Sequence, residues 1–483
     1  MHRFTVMLKS RGAMTFLYKR KRCIILQKTL KKQTAGPDTK PMLFSSKTLR
    51  ALIIPLIIEQ MLSMMVGLAD TVMITYAGEA AISGVSLVDM INGVFIYVYS
   101  ALATGGAVVV SQYVGSGDTE TGSQSASQLV TSTTIISLLF MVIGLLAPRA
   151  ILGTLFGRIE ADVMSASITY FTISAISYPF IALYSSCAAL FRAMGNSRVT
   201  MIVSIIMNVI NVIGNAIAIF ALGWGVAGVA IASLIGRMVA AVIMFILVLN
   251  KKRQIYVTIK EMLHFRWDLI KKILYIAVPS GIENGLFQVS KVALTSIIAL
   301  FGTAQIAANG VANSIDYVGA IIVGAIGLAT VTVVGQCVGA NDYEQARYYV
   351  KKLQKMAFIS SLILNAAIIA AMPLILKVFS LSEEASRLTF ILVVLHNVFV
   401  IVIQPFSGLL GSAIRAAGDV KFAMVVSIIS TVVVRVAFSF ILGVWMNMGV
   451  IGIWISMGID WAVRAVLLNW RYRSGKWTQF RVI

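Results

Sequence analysis

The chain is written twice. At a constant offset of 224 residues, Pro55 pairs with Pro279, Glu59 with Glu283 and Gly78 with Gly302. Ala80, Ile82, Gln112, Val114, Gly115 and Asp118 return as Ala304, Ile306, Gln336, Val338, Gly339 and Asp342. At offset 223, Arg192, Ala193 and Gly195 return as Arg415, Ala416 and Gly418, and Gly225 and Gly228 come back at 224 as Gly449 and Gly452. Chance does not hold a register over that length, so the fold must be two copies of one design. Each copy holds six apolar runs of about 20 residues or more, the length that crosses a bilayer as a helix. The twelve runs lie near 50–76, 80–112, 124–148, 163–190, 199–221, 226–249, 270–300, 305–336, 351–376, 386–414, 421–443 and 449–470. The second and eighth exceed one crossing and should tilt, kink or protrude. Six is even, so both halves enter from the same side, and the repeat is parallel with its axis along the membrane normal. With 59% hydrophobic and 12% charged residues, the expected class is an all-α polytopic membrane protein of twelve transmembrane helices in two parallel six-helix repeats.

Positive charge orients this bundle. With the N-terminus inside, internal segments hold 32 of the 40 Lys and Arg residues, and external loops hold only Arg149, Arg158, Lys377 and Arg387. That asymmetry places both termini in the cytoplasm of a multi-pass cell-membrane protein. Arg237, Lys291, Arg435 and Arg464 fall inside predicted helices. The net charge of +21 therefore faces anionic lipid and does not point to nucleic acid. The expected organisation is a basic tail over 1–44, an N-terminal six-helix lobe over 45–250 and a basic inter-lobe loop over 251–268. A C-terminal lobe follows over 269–472, then a short tail over 473–483. The loop region 250–273 reads as the hinge between lobes. The N-terminal tail carries Lys19-Arg20-Lys21-Arg22 and one acid, Asp38. It reads as a lipid-binding arm, as a transit sequence, or as an upstream extension before a working start at Met42.

Acids inside hydrocarbon are expensive, about 2.5–3.5 kcal/mol on insertion scales, and mark ion or substrate pathways. Glu59 and Asp70 share the first predicted helix. Eleven residues apart, they return to nearly the same face, about 16 Å apart along the axis. They read as a cation or proton site, or as members of a structural ion pair with Lys291 or Arg435. Glu283 repeats Glu59 in the seventh helix, and these three acids are the candidate ion-coupling residues. Lys291 is read as an amine buried in the bundle, which needs a partner or a lowered pKa. Asn208, Asn211 and Asn215 fall at i, i+3 and i+7 on one face of the fifth helix and either glue helices or line a cavity. Asn309, Asn313 and Asp316 in the eighth helix, with Asp89 and Asn92 in the second, are further inward-facing candidates. Asp460 and Arg464 are spaced to pair with each other. Gln112 with Gly115, and Gln336 with Gly339, sit at helix ends and suit folding or gating.

Other chemistry finds little support. Cys23, Cys187 and Cys337 have no metal-ligand spacing, and His2, His264 and His396 are scattered. Gly223, Gly225 and Gly228 match a dinucleotide-binding pattern, but no strand precedes them. No enzyme, metal centre or cofactor is expected.

Several segments together resemble a known family. Gly67-Leu-Ala-Asp70-Thr-Val-Met73 followed by Gly78-Glu-Ala-Ala-Ile-Ser-Gly84 is similar to the first-to-second-helix signature of the multidrug and toxic compound extrusion (MATE) family. Gln112-Tyr-Val-Gly115, Arg192-Ala-Met-Gly195-Asn and Gly225-Val-Ala-Gly228-Val-Ala match family positions in order, as do their second-half copies. The resemblance spans about 45–470 and is strongest to bacterial members. It implies a V-shaped monomeric antiporter that exports organic cations, drugs or metabolites in exchange for H+ or Na+. It implies that Asp70 takes part in ion coupling and that Asn211 belongs to the same cavity. Many members carry an aspartate where this chain has Asn215, which removes one carboxylate. Glu283 carries over weakly to an acidic position of the seventh helix. Two other functions compete: a lipid-linked oligosaccharide flippase of the same superfamily, which usually has fourteen helices and a basic cavity, and a channel.

Overall fold

The structure, a computed structural model, describes residues 41–483 apart from Arg158 and Ser380. The three readings of the basic tail therefore rest on residues that, up to Lys40, lie outside the described residues, as do Cys23, His2 and the external charge Arg158. From Leu49 to Ile483 the chain forms one unit by its internal contacts.

Helices account for its architecture, with no strand among the described residues. The first half holds α1 (Ser46–Thr75), α2 (Glu79–Ser116), α3 (Thr119–Leu146), the short α4 (Pro148–Phe156), α5 (Ala161–Ala193), α6 (Ser197–Ala221) and α7 (Gly225–Val248). A small helix, α8 (Ile259–Leu263), lies in the connection. The second half holds α9 (Trp267–Ala299), α10 (Thr303–Gly339), α11 (Tyr343–Val378), α12 (Glu383–Val402), α13 (Gln404–Ala416), α14 (Val420–Trp445) and α15 (Gly449–Arg473). Eleven helices among the described residues are long and apolar enough to cross a membrane. The remaining predicted crossing is α9, 33 residues long, whose Asp268, Lys271, Lys272, Glu283 and Lys291 dilute its hydropathy without shortening it.

The repeat is visible in how the helices begin. α2 and α10 start after Gly78 and Gly302, with φ of 99° and 93° and extended ψ, a region open only to glycine. Asp118 accepts from the Thr121 amide at 3.1 Å to cap α3, and Asp342 accepts from the Gln345 amide at 3.0 Å to cap α11. Each cap satisfies one of the amides that a helix start leaves without a partner.

The copies diverge in two places. The predicted run 386–414 is not one helix. It breaks at Ile403, two residues ahead of Pro405 in the first turn of α13, because proline removes an amide and clashes with the preceding turn. Pro179 in α5 leaves that helix continuous. In α14 the backbone widens to π-type turns over Ile429–Arg435 and Ser439–Trp445, whereas α6 widens only over its last turn, Ile217–Ala221.

α2 and α10 run together between the halves, and α9 packs on α2. Near the C-terminal ends of α2 and α10 the contacts are reciprocal. Gln112 Nε2 donates to the Ala416 carbonyl at 2.8 Å, and Gln336 Nε2 donates to the Ala193 carbonyl at 2.7 Å. A Cβ at Gly115 would overlap the Gln336 carbonyl, and one at Gly339 would overlap the Gln112 carbonyl. Thr332 Oγ1 adds a bond to the Arg192 carbonyl at 2.9 Å. Contacts that come in exchanged pairs are what two halves related by a two-fold rotation must make.

The connection between halves is strapped down. Gln128 of α3 donates to the Glu261 and His264 carbonyls at 2.7 and 2.8 Å and accepts from the Arg266 amide at 3.1 Å. Thr131 donates to the Met262 carbonyl at 2.9 Å. The region read as a hinge is thus fastened to the first half, since buried loop backbone must find partners.

Candidate functional site

Three groups of polar side chains interrupt the apolar interior. The first lies between α1 and α6. Asp70 is half-buried and accepts a hydrogen bond from Asn215 Nδ2 at 2.6 Å. Asn215 is fully buried and also approaches Asn211 Oδ1 at 3.5 Å, while Asn211 Nδ2 donates to Ser233 Oγ at 2.9 Å. The helical spacing of these asparagines thus aims two amides at the first helix, and Asn215 occupies the turn just before the α6 backbone widens. Asn208 is buried too, but its Nδ2 has no partner. Asp70 forms no salt bridge among the described residues, so neither Lys291 nor Arg435 pairs with it. Nearby, Asp89 accepts from Asn92 and from the Tyr170 hydroxyl, both at 3.3 Å, and Tyr178 donates to Asn92 Oδ1 at 2.8 Å. Arg237 donates to Ser177 Oγ at 2.7 Å in the same lobe.

The second group gives Glu59 and Glu283 an arginine partner each. Glu59 Oε1 lies 3.2 Å from Arg192 Nη1, and its Oε2 accepts from Thr200 Oγ1 at 2.7 Å. Glu283 lies 3.0 and 3.4 Å from Arg415 Nη1 through its two oxygens. Both acids and both arginines recur in the repeat, and the structure shows that they recur as one ion pair per lobe. The partners expected for an ion pair, Lys291 and Arg435, are elsewhere. Lys291 is exposed instead of buried. Arg435 lies over the Phe287 ring at 5.9 Å.

The third group belongs to the second lobe. Asp316 Oδ1 lies 2.7 Å from His396 Nδ1 of α12, and the imidazole sits edge-on to the Trp454 and Trp461 rings. Asn309 accepts from Trp454 Nε1 at 3.0 Å, so it ties α10 to α15. Asn313 is exposed and donates to its own helix, at the Asn309 carbonyl, 2.7 Å away; it does not join Asp316. Asp460 and Arg464 pair at 3.4 Å as their spacing requires, and Arg464 also donates to Thr431 at 2.6 Å. Sequence reasoning passed over His396, Asn365 and Asn397. The last two are fully buried beside Gly319, where a Cβ would collide with Asn365. An asparagine in an apolar run on a long helix was the available signal.

Around each Glu–Arg pair the structure leaves a cavity. That of the first lobe, about 290 Å³, is lined by Glu59, Gln60, Tyr184 and Arg192 among others. That of the second, about 370 Å³, is lined by Ser280, Glu283, Asn284, Gln404 and Arg415 among others. Thr104, Leu328 and Val331 line both, so the two meet at the seam between lobes. Among the described residues, no three His, Cys, Asp or Glu side chains gather as a metal site would need.

Known proteins place this architecture. The MatE family model matches residues 55–217 and again 279–441, one match per repeat. The chain is 27% identical over 436 residues to the uncharacterized transporter YisQ of Bacillus subtilis (strain 168), covering 88% of this chain and 93% of that one. It is 24% identical to the probable multidrug resistance protein NorM of Thermotoga maritima, covering 90% and 94%. Among solved structures, an outward-facing multidrug resistance MATE family transporter of the MOP superfamily superposes with a TM-score of 0.84 at 20% identity, covering 90% and 96%. A MOP superfamily transporter from Pyrococcus furiosus, described as having a binding pocket of reversed polarity, gives 0.83 at 20% identity, covering 90% and 97%. With both repeats matched and the whole bundle reproduced, the chain belongs to the MatE family, a family of membrane transporters that includes multidrug efflux proteins.

Proposed function

We propose that this protein is a secondary antiporter. It expels small organic molecules, organic cations and drugs among them, in exchange for inward H+ or Na+, and it works as a monomer by alternating access of its two lobes. The observation that carries the reading is Asp70. It is a carboxylate within a membrane-spanning helix, half-buried, held by one neutral amide and, among the described residues, by no salt bridge. The cost of such a charge is relieved when a proton neutralises the carboxylate or a cation binds it. Glu59 and Glu283 already have arginines, so the coupling role falls to Asp70, with Asn211 and Asn215 shaping its surroundings. The 32-to-4 distribution of basic residues supports cytoplasmic termini. The reciprocal contacts of Gln112 and Gln336 then close the cytoplasmic end.

A proton moving down 100 mV releases about 2.3 kcal/mol, enough for roughly fifty-fold accumulation at 1.4 kcal/mol per decade. That work needs a group that binds the ion differently in two conformations. Asn cannot titrate or neutralise a cation. In proteoliposomes, Asp70→Asn is expected to abolish gradient-driven dye efflux while the protein stays monodisperse and still binds dye. Efflux is measured under an imposed pH gradient and then an imposed Na+ gradient, and the gradient that drives the wild type names the ion. Full gradient-driven efflux by the variant would reject the coupling role.

A further inference from the structure

A groove follows the break between α12 and α13 on the surface of the second lobe. Val402 and Phe406 form one wall, and Val466 and Trp470 of α15 form the other. Its volume is about 780 Å³, within the range of small-molecule sites. Val402, Val466 and Trp470 are each more than half exposed, and on transmembrane helices such apolar surface meets acyl chains. Along α15 the groove runs from Ala462 to Arg473, a span of about 16 Å at 1.5 Å per residue. One leaflet of a hydrocarbon core about 30 Å thick has nearly that depth. One end of the groove is basic. Arg473 lines it there, with no ion pair or hydrogen bond among the described residues. Lys476 Nζ lies over the Trp470 ring at 5.7 Å and brings a second cation to the same end. Among the described residues no acidic side chain lines the groove, and Asp419, an acid near this helix end, is already held by Arg471 at 2.7 Å. The first lobe lacks the arrangement. Ile246 and Leu249 stand where the second lobe has Trp470 and Arg473, and α5 is continuous where α12 and α13 part.

We infer that this groove seats one anionic phospholipid of the cytoplasmic leaflet, with an acyl chain between α13 and α15 and the phosphate between Arg473 and Lys476. Length, polarity and charge all point the same way. Apolar walls one leaflet long take a single chain. Two cations without an acidic partner at the surface end take a phosphate, and basic pockets between transmembrane helices on the cytoplasmic side are where anionic headgroups bind. The Arg473 guanidinium can offer paired N–H donors to phosphate oxygens. A choline headgroup gains less, because its own cation opposes Lys476. The chain's basic N-terminal tail is a poor occupant for the same reason, since it would bring cation to cation. The inference rests on the orientation set by the basic residues and is independent of the cargo and the coupling ion.

The full chain, stripped of lipid in detergent, is titrated with dioleoyl phosphatidylglycerol and, separately, with dioleoyl phosphatidylcholine. Native mass spectrometry counts bound lipids and copies of the chain in one measurement. Phosphatidylglycerol is expected to fill its first site at least about ten-fold more tightly than phosphatidylcholine, a tenfold change being one decade of dissociation constant. Arg473→Gln/Lys476→Gln should remove that preference while phosphatidylcholine stays within about two-fold of the parent protein. Ala465→Phe, which fills the groove and keeps both cations, should weaken both lipids. Lys251→Gln/Lys252→Gln, which removes the same charge from the inter-lobe loop, should leave the first site unchanged. Equal loss of phosphatidylglycerol in the two charge variants, or no preference in the parent protein, overturns the site. Retention of both lipids by Ala465→Phe puts the acyl chain elsewhere and overturns it too. A parent dimer that becomes a monomer on Ala465→Phe places a second copy of the chain in the groove in place of lipid. Arg473 and Lys476 are exposed, so their double variant carries the test if Ala465→Phe does not fold.

Discussion

Arg192 shows how little of a site is decided by one residue. It holds Glu59 with its side chain and accepts from Thr332 with its carbonyl, so it belongs at once to a lobe and to the seam between lobes. Removing one partner of a largely buried pair leaves the other charge stranded, at a cost of about 3–5 kcal/mol. Arg192→Gln should therefore lower the thermal midpoint in detergent clearly more than Glu59→Gln/Arg192→Gln, which strands nothing. If the two variants melt together, the pair contributes packing alone. The acids, the arginines and the run of asparagines were all legible in the sequence. Their partners were not, because Glu59 and Arg192 are 133 residues apart, and Asp70 and Asn215 are 145 apart. Periodicity fixes a face and leaves open which helix meets it. Lys291 misled for the same reason: an amine in an apolar run reads as buried until the neighbouring helices are placed.

At the scale of helices, apolar length carries most of the information, and every predicted crossing has a helix in its place. What composition hides is local geometry. A proline marks a break at Pro405 and none at Pro179, since the cost of the lost bond depends on what the neighbouring helices satisfy. The π-widened turns of α14 leave no sequence mark. The glycine starts do: Gly78 and Gly302 recur because their backbone is closed to other residues. Nothing lies within 4 Å of a Cβ built at Gly302, so Gly302→Ala isolates the backbone cost, about 1–3 kcal/mol. A thermal midpoint lowered in detergent, with unchanged helical circular dichroism, is the expected result. An unchanged midpoint would mean that α10 shifts its start at no cost.

Across the whole molecule, the two halves meet at backbone distance where Gly115 faces Gln336 and Gly339 faces Gln112. A methyl group there cannot be absorbed by a flexible side chain, because the obstacle is a main-chain carbonyl. Gly339→Ala should therefore disfavour the closed end relative to the opposite state. A penalty of only about 1.4 kcal/mol on one of two states shifts their ratio tenfold. Spin labels on Asp118 and Asp342 are expected to report a longer distance population in this variant than in the parent protein, and transport should slow because one half of the cycle is underpopulated. Identical distance distributions would show that the contact does not set the equilibrium.

The strapped connection has a consequence for what the polypeptide is for. Since α8 and the residues around it are bonded to α3 through their own backbone, the stretch travels with the first half, and α9 reaches back to pack on α2. The halves recognise each other through surfaces, with the peptide link between them acting as a leash that keeps the stoichiometry at one to one. A gene cut between Lys252 and Arg253, with each piece given its own start signal, should yield two separate membrane polypeptides that find each other and export dye. The break would cost local concentration during assembly and leave the finished transporter intact.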